Sequence, residues 1–189
     1  MNTEEKQIST DSACNCKGMG LDQKTCEEIV HHLRRAYCDE WLAFMQYWTA
    51  AQVVMGVMRP EMTCELMENA NEELEHARML ADRIQTLCGE VPRSPQEIIE
   101  NCNCAFVAPS DPCGYRIMCQ SIASERCAIA VYNRILKMIG DRDPVTSRMI
   151  LDILEDEEEH EYEFRQIKED IDASREALGM KPGEKEHMK

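Results

Sequence analysis

Four stretches of the chain place apolar side chains at steps of three and four, the period of a helix with one face turned inward. The first stripe is Leu33, Tyr37, Glu40, Phe44, Tyr47, Ala51 and Val54, and the second is Leu66, Ala70, Glu73, Ala77, Leu80, Ile84 and Leu87. The third reads Met118, Ile122, Glu125, Ile129, Tyr132 and Leu136, and the fourth Ile150, Ile153, Glu157, His160, Phe164 and Ile167. Thr25 with Glu28 reads as a capping box that opens the first helix, which runs until Pro60; Pro60 opens the second, which ends at Gly89. Asp111 before Pro112 opens the third helix and Gly140 closes it, while Asp143 before Pro144 opens the fourth, with Gly179 its latest end. The connection from Gly89 to Asp111 is long and the other two are tight, so the pattern predicts two helical hairpins joined by one crossover. Ser94, Pro95 and Glu97 form another capping box, which predicts a short extra helix over residues 96–101. A bundle over residues 21–178 is thus expected between a flexible extension, 1–20, and a flexible tail, 179–189.

Composition agrees with an all-α chain: only 5% of its 189 residues are aromatic and it holds 8 glycines, while Leu, Met, Ala, Glu and Arg fill the periodic regions. A formal charge of −15 disfavours nucleic acid phosphates and anionic membranes as partners and favours cations. Residues 41–58 carry no charge, but Gln46, Thr49, Gln52 and Gly56 interrupt the run, so a helix buried on most sides fits it better than a membrane span. No secretory leader opens the sequence, which implies a cytoplasmic protein whose 11 cysteines are mostly thiols. The Cys14/Cys16 and Cys102/Cys104 pairs lack zinc-ribbon spacing.

Each apolar stripe carries one central glutamate: Glu40, Glu73, Glu125 and Glu157. Four carboxylates meeting in a bundle core would repel one another and lose hydration at several kcal/mol each, unless protonated or bound to cations. Two divalent ions balance their formal charge. Two helices supply a lone glutamate, Glu40 and Glu125, and two supply Glu-x-x-His, Glu73/His76 and Glu157/His160, the ligand set of a carboxylate-bridged di-iron centre. A Glu and a His three residues apart lie one turn apart on one face. Oxygen-rich ligation with two imidazoles suits iron or manganese better than structural zinc. The hairpins repeat: Glu40 precedes Glu73 by 33 positions and Glu125 precedes Glu157 by 32. A solvated charge run could produce Glu73 in NEELEH or Glu157 in EDEEEH, but Glu40 and Glu125 stand on otherwise apolar stripes. In the EDEEEHEYEF stretch, Glu157 and His160 are expected to face inward and Glu155, Asp156, Glu158, Glu159 and Glu163 mostly to face water.

The segments NEELEHARMLADRIQTLCGEVP, SERCAIAVYNRIL and LDILEDEEEHEYEF resemble the ferritin superfamily, specifically its Dps-like thioferritin branch, over residues 36–167. The resemblance implies a ferritin-like four-helix bundle with a bacterioferritin-type di-iron site, two iron ions per subunit, and a hollow cage of 12 subunits. By position, Glu73 and Glu157 would bridge the ions, Glu40 with His76 would complete one, and Glu125 with His160 the other; these six are the expected metal-binding and catalytic residues. The branch also has a cysteine pair near the site, matched by Cys127 and Cys102, with Cys104 a possible substitute. Two residues past Glu125, Cys127 should turn outward, under the crossover, rather than ligate metal. Bacterioferritin's haem methionine would follow the second helix's glutamate; Leu74 stands there, so no haem is expected. The slightly acidic N-terminal segment does not resemble the basic tails of DNA-binding Dps proteins.

The implied activity is oxidation of Fe(II) by H2O2 or O2, with storage of Fe(III) mineral and protection against oxidative stress. Two other classes compete with it: a soluble di-iron or di-manganese peroxidase or catalase without storage, and a metal-free helical scaffold.

Overall fold

The computed structural model describes residues 16–177 and Gly179. Its helices are α1 (Gln23–Val53), α2 (Arg59–Thr86), α3 (Pro95–Asn101), α4 (Gly114–Ile139) and α5 (Pro144–Ala177), after a 3-10 turn at Cys16–Met19. Among the described residues there is one isolated bridge and no strand. α1 packs along α2 and α4 along α5, with α3 in the crossover lying against α1. These are the two expected hairpins and the extra helix.

Several helix ends differ from expectation. Asp22, not Thr25, caps α1: its Oδ1 accepts from the Thr25 N–H at 3.0 Å and its Oδ2 from the Thr25 hydroxyl at 2.7 Å. α1 stops at Val53, well before Pro60: Val54 leaves the helix with ψ 137°, and Gly56, at φ 133°, continues the turn toward α2 in a backbone state that L side chains rarely adopt. Cys88, with φ 61°, ends α2 after Thr86, and the Gly89 N–H returns to the Ile84 carbonyl at 2.8 Å. α3 begins at Pro95, one residue early, capped by Ser94 Oγ at 3.2 Å from the Glu97 N–H.

α4 begins at Gly114 rather than after Asp111. Residues 112–113 instead run beside the α1–α2 turn, where Met55 N–H donates to the Pro112 carbonyl and the N–H of Gly114, the first residue of α4, donates to the Met55 carbonyl, each at 2.8 Å. A Cβ at Gly114 would sit 2.6 Å from Met62 Sδ and 3.1 Å from the Met55 carbonyl oxygen, so a larger residue at this crossing requires the Met62 side chain to move.

The interior is two apolar layers with a polar layer between them. One layer gathers Ile29, Leu33, Leu80, Ile84, Tyr132, Ile135, Ile150 and Ile153; the other gathers Tyr47, Ala51, Leu66, Ala70, Met118, Ile122 and Phe164. Every long helix contributes to both, and each crosses from one to the other at its buried glutamate. α1 is buried on two sides, since the crossover covers Asp39 and Gln46 as well as the bundle covering Glu40 and Tyr47. Tyr37 and Phe44 of the expected stripe are consequently only half-buried. Among the described residues no helix is long and apolar enough to cross a membrane.

The cysteines depart from the expectation of mostly thiols. Cys16 is joined to Cys26, Cys104 to Cys127, and Cys88 is also disulfide-bonded, leaving Cys38, Cys64, Cys102, Cys113 and Cys119 as thiols among the described residues. Cys16 and Cys26 meet because the 3-10 turn folds both sulfurs against the Leu87 carbonyl. Residues 1–15 of the expected extension and 180–189 of the expected tail lie outside the described residues.

The expected cap at Asp143 is present and carries a second task. Its Oδ1 accepts from the Thr146 N–H at 3.1 Å, and its Oδ2 accepts from Arg83 Nη2 at 2.7 Å, tying the end of α2 to the start of α5. Burial opposes its charge, but bonds from Thr146 and Arg83 outweigh burial and hold the carboxyl below the usual range. Its stabilising contribution is therefore full above the ordinary Asp range and lost as pH falls through the folded value. Asp143→Ala should lower unfolding stability in urea by about 2 kcal/mol or more at neutral pH, with the gap to the unsubstituted protein narrowing in acid.

Candidate metal centre

Glu40, Glu73, His76, Glu125, Glu157 and His160 lie together in the polar layer, each at most 2% exposed. Local helix geometry accounts for their convergence. In α2 and α5 the histidine sits one turn beyond the glutamate on the inward face, and in α1 and α4 the lone glutamate lies in the same layer.

The six form two overlapping groups whose ligand atoms lie within 4.8 Å of one another: Glu40, Glu73, His76 and Glu157, and Glu73, Glu125, Glu157 and His160. Glu73 and Glu157 belong to both. His76 Nδ1 lies 3.4 Å from Glu40 Oε2, 3.6 Å from Glu73 Oε2 and 3.4 Å from Glu157 Oε1. His160 Nδ1 lies 3.7 Å from Glu73 Oε1 and 3.9 Å from Glu157 Oε2. These atoms face each other without hydrogen-bond geometry. Among the described residues nine buried side-chain atoms lack a partner, and seven of them are Glu40 Oε2, both oxygens of Glu73 and of Glu157, and the two Nδ1 atoms. Unpaired buried acceptors on this scale are expensive. Their shared focus suits divalent cations.

A surrounding shell fixes the six. His76 Nε2 lies 3.1 Å from Asp156 Oδ2, and His160 Nε2 lies 2.6 Å from Glu72 Oε2. Each carboxylate holds the outer nitrogen of an imidazole and keeps Nδ1 turned toward the centre. Asp156 and Glu72 are half-exposed, so the water-facing reading of Asp156 covers only half of its role. The Tyr47 hydroxyl donates to Glu125 Oε1, and the Tyr132 hydroxyl to Glu40 Oε1.

Electrostatics reflect the crowding. Burial, then the Glu157 and Glu40 charges, push Glu73 well above the usual carboxylate range; burial and Glu157 do the same to Glu125. Burial and Glu40 raise Glu157. Burial would raise Glu40 too, but contacts with Glu73, His76 and Tyr132 outweigh it and hold it low. Burial opposes protonation of His76, yet the surrounding carboxylates raise it far above the ordinary histidine value. Without a cation, crowding in the polar layer favours the protonated forms of Glu73, Glu125 and Glu157.

The crossover does pass over Cys127, but the sulfur that meets it belongs to Cys104, which corrects the Cys102/Cys127 pairing. Cys102 caps the end of α3, its Sγ turned back to 3.3 Å from the Ile99 carbonyl and its own carbonyl held by Arg35. Cys104 shares a small cavity with Asp39, Ala43, Ser124 and the four glutamates. Sequence reasoning passed over Tyr47, Tyr132, Glu72 and Asp39. A signal existed for three of them: each tyrosine follows a lone glutamate by seven positions, and a carboxylate precedes each Glu-x-x-His glutamate.

A family model described as "Ferritin-like domain" matches residues 30–174. The "DNA protection during starvation protein" of Pyrococcus furiosus is 31% identical over 144 residues, 75% of this chain and 77% of that one. The structure of a dodecameric thioferritin, the bacterioferritin-related protein of Bacteroides fragilis, is 34% identical with a TM-score of 0.80, covering 85% of this chain and 94% of that chain. The diiron bacterioferritin of Desulfovibrio desulfuricans shares the fold, at a TM-score of 0.67, 22% identity and coverages of 79% and 83%.

Metal-free protein should lose stability as pH rises out of the ordinary carboxylate range, because Glu73, Glu125 and Glu157 must then ionise against one another. Urea midpoints of the chelated protein across that range should show the decline, and Glu73→Gln should flatten it.

Proposed function

The chain belongs to the ferritin-like family, and on that footing we propose that it is an iron-storing ferroxidase that protects against oxidative stress. Fe(II) is its substrate. One ion is held by Glu40, His76 and the shared pair Glu73 and Glu157, the other by Glu125, His160 and the same pair. The observation that supports this reading is the set of orphaned carboxylate oxygens and Nδ1 atoms aimed at one centre.

Two Fe(II) held side by side each give up one electron, so a two-electron oxidant is reduced without releasing a radical. With H2O2, two protons are taken up and two waters leave; with O2, the same electrons and protons yield H2O2. The protein's part is to fix the geometry: Asp156 and Glu72 keep both imidazoles aimed inward, and Tyr132 and Tyr47 orient the terminal glutamates. Iron or manganese suits these ligands. Substituting Asp156 or Glu72 by Ala should weaken metal binding about 10- to 100-fold, measured by titration.

Twelve copies enclosing a mineral core fit the likeness to the dodecameric thioferritin. Exposed Val57, Val107, Val145, Leu151 and Trp48 supply apolar surface for contact between copies. The net charge of −15 draws Fe(II) and repels DNA phosphates, so protection of nucleic acid would come from removing iron and peroxide together rather than from coating the duplex.

Iron loading with H2O2, followed by metal analysis and sizing of the native particle, tests the proposal. A cage should take up far more iron than one pair per chain, and Glu40→Ala and Glu125→Ala should remove the rapid oxidation. Uptake that halts at one pair per chain would instead indicate a peroxidase or catalase. Stability indifferent to metal and chelator would indicate a scaffold.

A further inference from the structure

Asp39 neighbours Glu40 in sequence, but its carboxylate points out of the bundle and into the crossover. It is only 6% exposed, and among the described residues no Lys or Arg pairs with it. An acid so placed is tolerable only if hydrogen bonds replace its lost water. Three do. Asp39 Oδ1 accepts from the Asn103 N–H at 2.6 Å and the Cys104 N–H at 2.8 Å, and Oδ2 accepts from Asn103 Nδ2 at 2.6 Å. All three donors belong to Asn103 and Cys104, and the Cys104 side chain reaches Cys127 on α4. Asp39 and Cys104 also line the same cavity as Glu40, Glu73, Glu125 and Glu157.

We propose that Asp39 is a positioning residue, a latch that holds residues 103–104 on α1 so that the Cys104–Cys127 disulfide forms and roofs the cavity over the carboxylate–imidazole cluster. The latch itself stands on geometry outside the cluster; its bearing on iron chemistry rests on the function proposed above. Without Asp39 the crossover loses the bonds that set the position of Cys104, while Cys127 remains fixed on its helix. The disulfide then gives way more readily to a dithiol, whose two sulfurs join as the Cys104–Cys127 bond breaks and its two protons pass to the protein sulfurs.

The test equilibrates the metal-free, full-length protein with dithiothreitol redox buffers and traps thiols by alkylation. Mass spectrometry of the peptides bearing Cys104 and Cys127 then reads that one disulfide apart from the others. Asp39→Ala should lower its equilibrium constant on the order of tenfold, whereas Asp39→Asn, which keeps an oxygen for both backbone N–H groups, should stay within about threefold. Should Asp39→Ala not fold, Asn103→Ala decides: it removes one of the three bonds and should give an intermediate loss. The latch is overturned if Asp39→Ala leaves the equilibrium unchanged, if the Asn variant falls as far as the Ala variant, or, where only Asn103→Ala folds, if that variant matches the unsubstituted protein. Co(II) titration of the same proteins, read by absorption, reports separately on the metal centre. Failure to bind there would sink the iron reading and leave the disulfide result intact.

Discussion

Four carboxylates forced into one dry layer repel one another, and most of the molecule can be understood as accommodation of that repulsion. The apolar interior is split in two so that the layer is sealed above by Leu33, Leu80, Ile135 and Ile153 and below by Tyr47, Leu66, Met118 and Phe164. Sealing strengthens every interaction within it, the attraction for a cation included. The stripes on either side hold the helices in register. A sliding shift by one turn would carry a glutamate into an apolar layer, where nothing could compensate its charge.

The same constraint explains why the acidity of α5 serves two purposes. Glu157 and His160 face inward, while residues beside them face solvent and keep the chain strongly anionic. Asp156 stands between these roles, half in water and half bound to the outer nitrogen of His76. An anionic surface and the buried carboxylate–imidazole cluster are thus neighbouring turns of one helix.

Much of this was legible in the pattern of residues. Glutamates that interrupt apolar stripes, two lone and two paired with a histidine, bring the same six side chains together in space. Helix ends were less legible, because competing local bonds decide them: Asp22 outcompetes Thr25 for the cap, and the bridge between Met55 and residues 112–114 delays α4. Cys104 rather than Cys102 meets Cys127 because Asp39 grips the backbone of residues 103–104, a contact between positions more than sixty apart that no local spacing encodes. Tyr47 and Tyr132 looked like filler since an aromatic ring fits an apolar stripe whether or not its hydroxyl has work to do.

The supporting bonds run crosswise. Tyr47 and Glu72 of the first hairpin hold Glu125 and His160 of the second, and Tyr132 and Asp156 of the second hold Glu40 and His76 of the first. Such reciprocity is the signature of an isologous interface, here closed within one polypeptide. Neither half is a smaller working version of the whole, since each would keep its ligands and lose what orients them.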